Sequence, residues 1–224
     1  MKTNEVLQKD VQNAIKWEPL LNAAEIGVIV KDGIVTLTGS VDSYAKKIEA
    51  ETVTKHVAGV KAIVEKIELK FADDCAKKDD NEIAIDVLNA IKWNWEIPKD
   101  KIKVKVENGW ITLDGELAWN FQKEAAKNLI KNLTSVIGVT NNITIKAESY
   151  DQIEKIKVEN ALRLNWSTEM QNIEVTVSGT NVTLSGTVNS MYQKTEAGRI
   201  VWKTPGVWSV DNDLEVEYEN SLID

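Results

Sequence analysis

Hydrophobic and polar positions follow one order three times along this chain. A helical stripe comes first: Leu7, Val11, Ala14 and Ile15, then Ile83, Val87, Ala90 and Ile91, then Val158, Ala161 and Leu162. Apolar residues at i, i+4, i+7 and i+8 predict an amphipathic helix with one buried face. Pro19 and Pro98 follow the first two stripes, as a stop signal should. Strict alternation comes next, through Ile26, Val28 and Val30, Ile102, Val104 and Val106, and Ile173, Val175 and Val177. That pattern predicts a strand with one face in the core. Asp32-Gly33 and Asn108-Gly109 then form two-residue hairpin signals, because a type I′ turn needs positive φ at both positions. The third stretch reads Ser178-Gly179-Thr180-Asn181, with its glycine displaced by one residue, so a different turn type is expected there. Each returning strand alternates again: Val35 and Leu37, Ile111 and Leu113, Val182 and Leu184.

A second helix is predicted from near Ser43, Asn120 and Ser190, with an inner face marked by Ala50, Ala126 and Ala197. Ala58-Gly59 and Thr204-Pro205-Gly206 end it in the outer copies, where glycine takes the left-handed closing position. The middle copy has Ser135 in that place and Gly138 three residues on, which predicts a different ending. A final strand closes each pattern: Ile63, Ile67 and Leu69, Val139, Ile143 and Ile145, Val210, Leu214 and Val216.

The segments VQNAIKW, VLNAIKW and VENALRL open the three patterns, and VTLTGSV, ITLDGEL and VTLSGTV recur at one distance behind them. The period is 76 residues from Ala14 to Ala90 and 71 from Ala90 to Ala161. Solenoid repeats run to roughly 50 residues and cannot bury a core alone. A unit of about 60 residues buries roughly 60% of its unfolded surface and can fold by itself. The chain is therefore expected to be α+β, with three tandem α-β-β-α-β domains, each a three-stranded mixed sheet with two helices on one face. The expected boundaries are 1–72, 73–148 with 73–80 as linker, and 149–224. The β-α-β portion should cross over right-handed, setting the third strand parallel to the second.

This order, with V-x-L-x-G-x-V at Val35 to Val41 and a later Gly-Val opening the last strand, resembles the BON domain, named for bacterial osmotically inducible and nodulation proteins. The resemblance covers roughly residues 4 to 71, 80 to 148 and 151 to 219. It implies a bacterial binding module associated with membranes, phospholipid head groups and osmotic stress. Such proteins are usually exported to the periplasm, and one cytoplasmic relative binds potassium.

Composition narrows the function classes. With 43% apolar and 28% charged residues, the chain belongs with globular proteins. No run approaches the roughly 18 apolar residues of a membrane span. MKTNEVLQKDVQNAIKW shows no apolar signal core, so a cytoplasmic location is expected, or a periplasmic one if a leader had been removed. The copies carry formal charges of 0, −2 and −6, which disfavours nucleic acid as a partner. Cys75 reads as a linker residue and His56 as a surface position on the second helix. One Cys and one His cannot make a Cys/His zinc site. Asp73-Asp74, Asp79-Asp80 and Asp211-Asn212-Asp213 lack the EF-hand pattern and read as solvated linker and turn charges. No phosphate loop, dinucleotide fingerprint or nucleophile elbow is present. The expectation is no enzyme, no catalytic residues, no cofactor and no metal.

Eight tryptophans remain to be explained. Trp17 and Trp93 end the first helix in two copies, with Leu164 in the third, and are expected to cap the core. Trp95 and Trp166 come two residues later, turned outward. Trp110 and Trp119 flank a strand, while Trp202 and Trp208 flank the exit of the last helix. These rings serve either to seal consecutive copies together or to present a partly exposed surface. In the second case Trp95, Trp119 and Trp166 with Lys92, Lys99, Lys101 and Lys103 form the candidate surface for an anionic head group or an envelope protein. The function expected is a non-enzymatic binding or scaffolding protein. The alternative is a cytoplasmic sensor of a small ligand or a cation such as K⁺.

Overall fold

In the computed structural model, residues 2–71, 78–146, 155–165 and 172–217 are described. Copy one runs α1 (Asn4–Trp17), β1 (Ile26–Lys31), β2 (Ile34–Val41), α2 (Tyr44–His56) and β3 (Ala62–Leu69), with a short 3-10 turn, Ala23–Glu25, before β1. Copy two runs α3 (Asp80–Trp93), β4 (Ile102–Glu107), β5 (Trp110–Leu117), α4 (Asn120–Ile130), β6 (Gly138–Asn141) and β7 (Thr144–Ile145). Copy three runs α5 (Lys155–Asn165), β8 (Ile173–Ser178), β9 (Asn181–Val188), α6 (Met191–Val201), β10 (Ser209–Asn212) and β11 (Glu215–Val216). Both α-β-β-α-β order and α+β class agree with the sequence pattern.

The sheets follow the expected topology. Copy one has the order β1-β2-β3. In copy two, β4 pairs antiparallel with β5 from Ile102↔Gly115 to Glu107↔Trp110. β6 and β7 pair parallel with β5 and continue a single register, so they are one strand interrupted. Copy three repeats this with β8, β9, β10 and β11. At the interruption Asn141 Nδ2 donates to the Lys123 carbonyl at 3.1 Å, and Asn212 Nδ2 does the same to Lys194 at 2.6 Å. Each amide ties the last strand to the helix before it, and the following Ile143 and Leu214 fall into the core.

Turn chemistry accounts for the connections. Asp32 (φ 52) and Gly33 (φ 81), and Asn108 (φ 51) and Gly109 (φ 79), both lie at positive φ, which is the type I′ pattern. In the copy-three hairpin turn only Gly179 (φ 62) is positive, the pattern of a II′ turn. Ser135 takes φ 63 where Gly59 and Gly206 take 110 and 89, so copy two closes its helix like the others and bears the strain on a serine.

The core of each copy is built on the predicted helix stripes and returning strands. Leu7, Val11 and Ile15, then Ile83, Val87 and Ile91, then Val158 and Leu162 are buried on the first helices. Ala50, Ala126 and Ala197 are fully buried, leaving room for the second helix to approach the sheet closely. The chain gathers into two compact units: Met1–Thr38, Ala50–Lys66 and Ser149–Asp224 in one, Gly39–Glu49 and Ile67–Glu148 in the other. Copy three thus shares a unit with most of copy one. Within the first unit, His56 stacks on Tyr192 with ring centroids 4.1 Å apart. Within the second, Tyr44 is buried in the cluster of Ile83, Ile111 and Leu113, with Ile48 and Leu69 packed against it.

Candidate functional site

The register of β4 against β5 divides copy two into two ends. Ile102 pairs with Gly115, so the start of β4 and the end of β5 lie together. The C-terminal end of α3 feeds β4 through a short loop, and Trp119 follows β5 directly. Lys92, Trp95, Lys99, Lys101 and Trp119 therefore share this end of the domain. Trp110 belongs to the opposite end: it pairs with Gly138 and donates its indole N–H to Thr140 Oγ1 at 2.8 Å. Trp166 and Cys75 lie outside the described residues.

Local structure explains why Trp95 projects. The Asn94 amide closes α3 on the carbonyls of Ala90 and Ile91, and Asn94 Oδ1 accepts the Glu96 amide at 2.8 Å, turning the chain outward. Ile97 then anchors the loop in the core at 3% exposure. Between those two fixed points Trp95 stands 89% exposed. At the same end of the domain, Leu88, Ile91, Lys92, Lys99, Asp100 and Ile102 line a groove of about 280 Å³. Lys92 and Lys99 thus meet an apolar floor. Lys101 and Lys103 are exposed but do not line the groove. Trp119 is 40% exposed, and its backbone amide donates to Gln122 Oε1 at 3.2 Å, at the start of α4.

One expectation is corrected here. Trp17 and Trp93 do not cap the core: they are 85% and 83% exposed, and Leu164 is 84% exposed. The buried stripe ends at Ile15 and Ile91. A residue two positions further is rotated by about 200° on an α-helix, which carries both rings out to solvent. Trp95 owes its exposure to the Asn94 turn, since it lies past the helix end.

The opposite end, at the hairpin turns, holds groups that composition alone passed over. The Asp79-Asp80 pair, expected to be solvated charge, is engaged by backbone amides. Asp79 caps α3 by accepting the Glu82 amide at 2.8 Å, while Glu82 Oε2 accepts the Asp79 amide at 3.0 Å. The Asp-x-x-Glu spacing at Asp79 is a capping-box signal and could have shown this. Asp80 accepts the amides of Asn108 and Gly109, each at 2.8 Å. The preceding Lys78 forms an ion pair with Asp86, as Lys2 does with Asp10 at 2.7 Å in copy one.

Two ionisable groups are perturbed in a clear direction. The Lys46 ammonium, bonded at 2.7 Å, holds the Asp42 carboxyl below the usual carboxylate range. The Glu196 carboxylate raises Arg199 above its ordinary value. His56 Nδ1 lies 2.7 Å from the carbonyl of Thr52 on its own helix. Among the described residues, no group of three or more His, Cys, Asp or Glu side chains gathers as metal ligands. No described helix is long and apolar enough to cross a membrane.

Comparison with known proteins agrees with this architecture. Osmotically-inducible protein Y of Escherichia coli (strain K12) is 26% identical over 129 residues, covering 56% of this chain and 64% of that protein. The match thus spans less than two thirds of that relative. Two solved structures of CdsD, a structural protein of the type III secretion system of Chlamydia trachomatis, are 17% identical. One covers 95% of this chain and 92% of its own, the other, a C-terminal domain, 97% and 100%. Their TM-scores of 0.26 and 0.25 carry no argument about this fold. The BON-domain profile matches residues 3–70, 79–147 and 151–218, one match to each copy, and so the chain belongs to the BON-domain family.

Proposed function

We infer that this chain is a non-enzymatic binding protein of osmotic or envelope stress that docks on anionic phospholipid through the Trp95 end of copy two. Kinship with osmotically-inducible protein Y supports the stress setting, and family membership supports a binding role. One observation carries the lipid reading: Trp93 and Trp95 stand 83% and 89% exposed in the stretch of chain between Lys92 and Lys99, two residues that line a groove with an apolar floor. An indole has an apolar body and a polar N–H, so it gains most at a membrane interface, where both are satisfied. Lysines at the same end add attraction to an anionic surface, worth about 1 kcal/mol each near the membrane. Fixing Trp95 between Asn94 and Ile97 presents the ring at little entropic cost.

Trp95→Ala removes an exposed side chain and leaves the core untouched, so folding is retained. Co-sedimentation with phosphatidylglycerol vesicles should weaken by about 20- to 30-fold, the equivalent of roughly 2 kcal/mol of apolar burial. Lys99→Glu should weaken it further and make the residue of binding less sensitive to salt. Association unchanged by both substitutions removes this surface from consideration. Equal binding to phosphatidylcholine vesicles would leave the lysines without a part.

A further inference from the structure

Asn108-Gly109, the turn of the copy-two hairpin, is the one Asn-Gly pair in the chain. Asparagine is a thermolabile residue, and a following glycine leaves the next main-chain nitrogen without a side chain to shield it. That nitrogen can attack the carboxamide carbon. Here the attack joins Gly109 N to Asn108 Cγ, expels Nδ2 as ammonia and closes a five-membered succinimide ring. Water then opens the ring at one of its two carbonyls, giving aspartate or, with the main chain rerouted through Cγ, isoaspartate. Water is the only co-reactant, and Asn108 is exposed to it.

The glycine cannot be exchanged. It lies at φ 79, and a Cβ there would sit 2.9 Å from the Ser135 carbonyl oxygen. The reactive pair is thus built into the turn, and its fate depends on how firmly the turn is held. Asp80 Oδ2 accepts the Asn108 amide and Asp80 Oδ1 the Gly109 amide, each at 2.8 Å. The Gly109 carbonyl accepts the Ile137 amide at 3.0 Å. Gly109 must lose its amide proton to become the nucleophile, and a carboxylate bonded to that N–H opposes a second negative charge beside it. The attack also needs the peptide plane between Asn108 and Gly109 to swing toward Cγ. Bonds to the amides of both residues resist that swing.

We propose that Asn108 is a site of spontaneous deamidation and that Asp80 is the latch that keeps it closed, so that modification proceeds only when the turn opens. Copy one shows how each product would fit. It carries Asp32-Gly33 in the equivalent turn at φ 52 and 81, so an aspartate suits this backbone. Its facing residue, however, is the uncharged Asn4, whose Oδ1 accepts the Asp32 amide at 3.0 Å. In copy two an aspartate at 108 would add a carboxylate to the residue whose amide the Asp80 carboxylate holds, and the like charges would weaken the latch. Isoaspartate inserts a methylene into the main chain, which a two-residue turn between the paired Glu107 and Trp110 cannot absorb. Either product loosens the copy-two hairpin. The site lies at the opposite end of the domain from Trp95 and does not depend on the lipid reading.

The test is incubation of the full chain in ¹⁸O-labelled water at mildly alkaline pH, followed by peptide mapping of the segment that holds Asn108. Asp80→Asn installs the residue that copy one carries in this place, so the fold is kept, and one acceptor oxygen is lost. One charge-assisted hydrogen bond corresponds to about tenfold or more in the population of the opened turn. Label should therefore enter residue 108 about tenfold faster than in wild type, and hydrogen exchange of the Gly109 amide should rise by a similar factor. In urea the two proteins should react at one rate, faster than folded wild type. Ile143→Val loosens the core of copy two with Asp80 intact and should change the folded rate by no more than about twofold. Equal folded rates for wild type and Asp80→Asn, or an equal acceleration by Ile143→Val, overturn the latch. Wild type that reacts as fast folded as in urea overturns it without any variant.

Discussion

Replacing Gly186 by alanine tests whether the glycine in the recurring V-x-L-x-G-x-V segment is there for space as well as for backbone freedom. Gly186 lies at φ +112, and a Cβ built there would sit 1.8 Å from the Asn172 carbonyl oxygen. Positive φ costs a residue with a side chain about 1–2 kcal/mol. The overlap is with main chain, which cannot rotate aside, so the segment before β8 must retreat by roughly 1.5 Å to reach van der Waals contact. That movement breaks the bond from the Thr187 amide to the Asn172 carbonyl, 3.2 Å in the native fold, and loosens the Ile173↔Gly186 pairing. At about 1 kcal/mol for the hydrogen bond, the total comes to about 3–4 kcal/mol once lost packing is added. A domain of about 65 residues has only roughly 3–10 kcal/mol to lose. Gly179 is the internal control. It too lies at positive φ (+62), but nothing stands within 4 Å of its Cβ position, so alanine there should cost only the dihedral part. Urea unfolding followed by tryptophan fluorescence gives the totals, and hydrogen exchange of β8 and β9 amides localises them to copy three. Equal destabilisation by Gly186→Ala and Gly179→Ala, within about 0.5 kcal/mol, would refute the steric part of this reasoning.

Two further substitutions bear on the packing and charge of copy one. Tyr44→Ala should destabilise the second unit by about 3 kcal/mol, because the ring is 8% exposed within the core cluster of copy two. Hydrogen exchange should show loss of protection in α3 and α4, and protection changed in α2 alone would contradict it. Asp42→Asn removes a carboxyl whose folded pKa is depressed by Lys46. A depressed carboxyl stabilises above its ordinary value near 4 and loses that contribution as pH falls through the lowered folded value. The pair is largely exposed, so wild type should exceed the variant by about 0.5 kcal/mol or less at neutral pH, and by nothing near pH 2. A gap in urea midpoint that widens on acidification would contradict the assignment.

Period and topology were legible in the sequence because each depends on local rules that the chain obeys three times over. Leu7, Val11 and Ile15 mark a helix face with no tertiary knowledge, and Asn108-Gly109 fixes both turn type and register. The exposed tryptophans were misread at Trp17 and Trp93. A large aromatic ring at a repeated position suggested burial, although rotation from Ile15 and Ile91 already carried it outward. Ser135 was misread for a related reason: residue preference for the left-handed region is a cost of a few kcal/mol at most, and the surrounding turn overrides it. The burial of Tyr44 and the stacking of His56 on Tyr192 had no sequence signal at all. Both depend on contacts between residues of different copies, which no periodicity within one copy encodes.

Triplication separates what the fold requires from what each copy is free to alter. Gly115 and Gly186 answer to the same carbonyl approach, 2.1 Å at Lys101 and 1.8 Å at Asn172 for an added Cβ, so the backbone forbids divergence there. Asn4 and Asp80 answer to no such limit. Either side chain can accept a turn amide and start the helix, and the exchange of one oxygen for an NH₂ group leaves core and sheet unchanged. Its effect falls on the turn, where Asp80 accepts the amides of both Asn108 and Gly109 and Asn4 accepts that of Asp32. The helix-end position shows the same freedom, since Trp17, Trp93 and Leu164 all project from equivalent places without touching the buried stripe. Differences of function between copies are therefore expected at these two ends, where the fold sets a position and imposes no side chain.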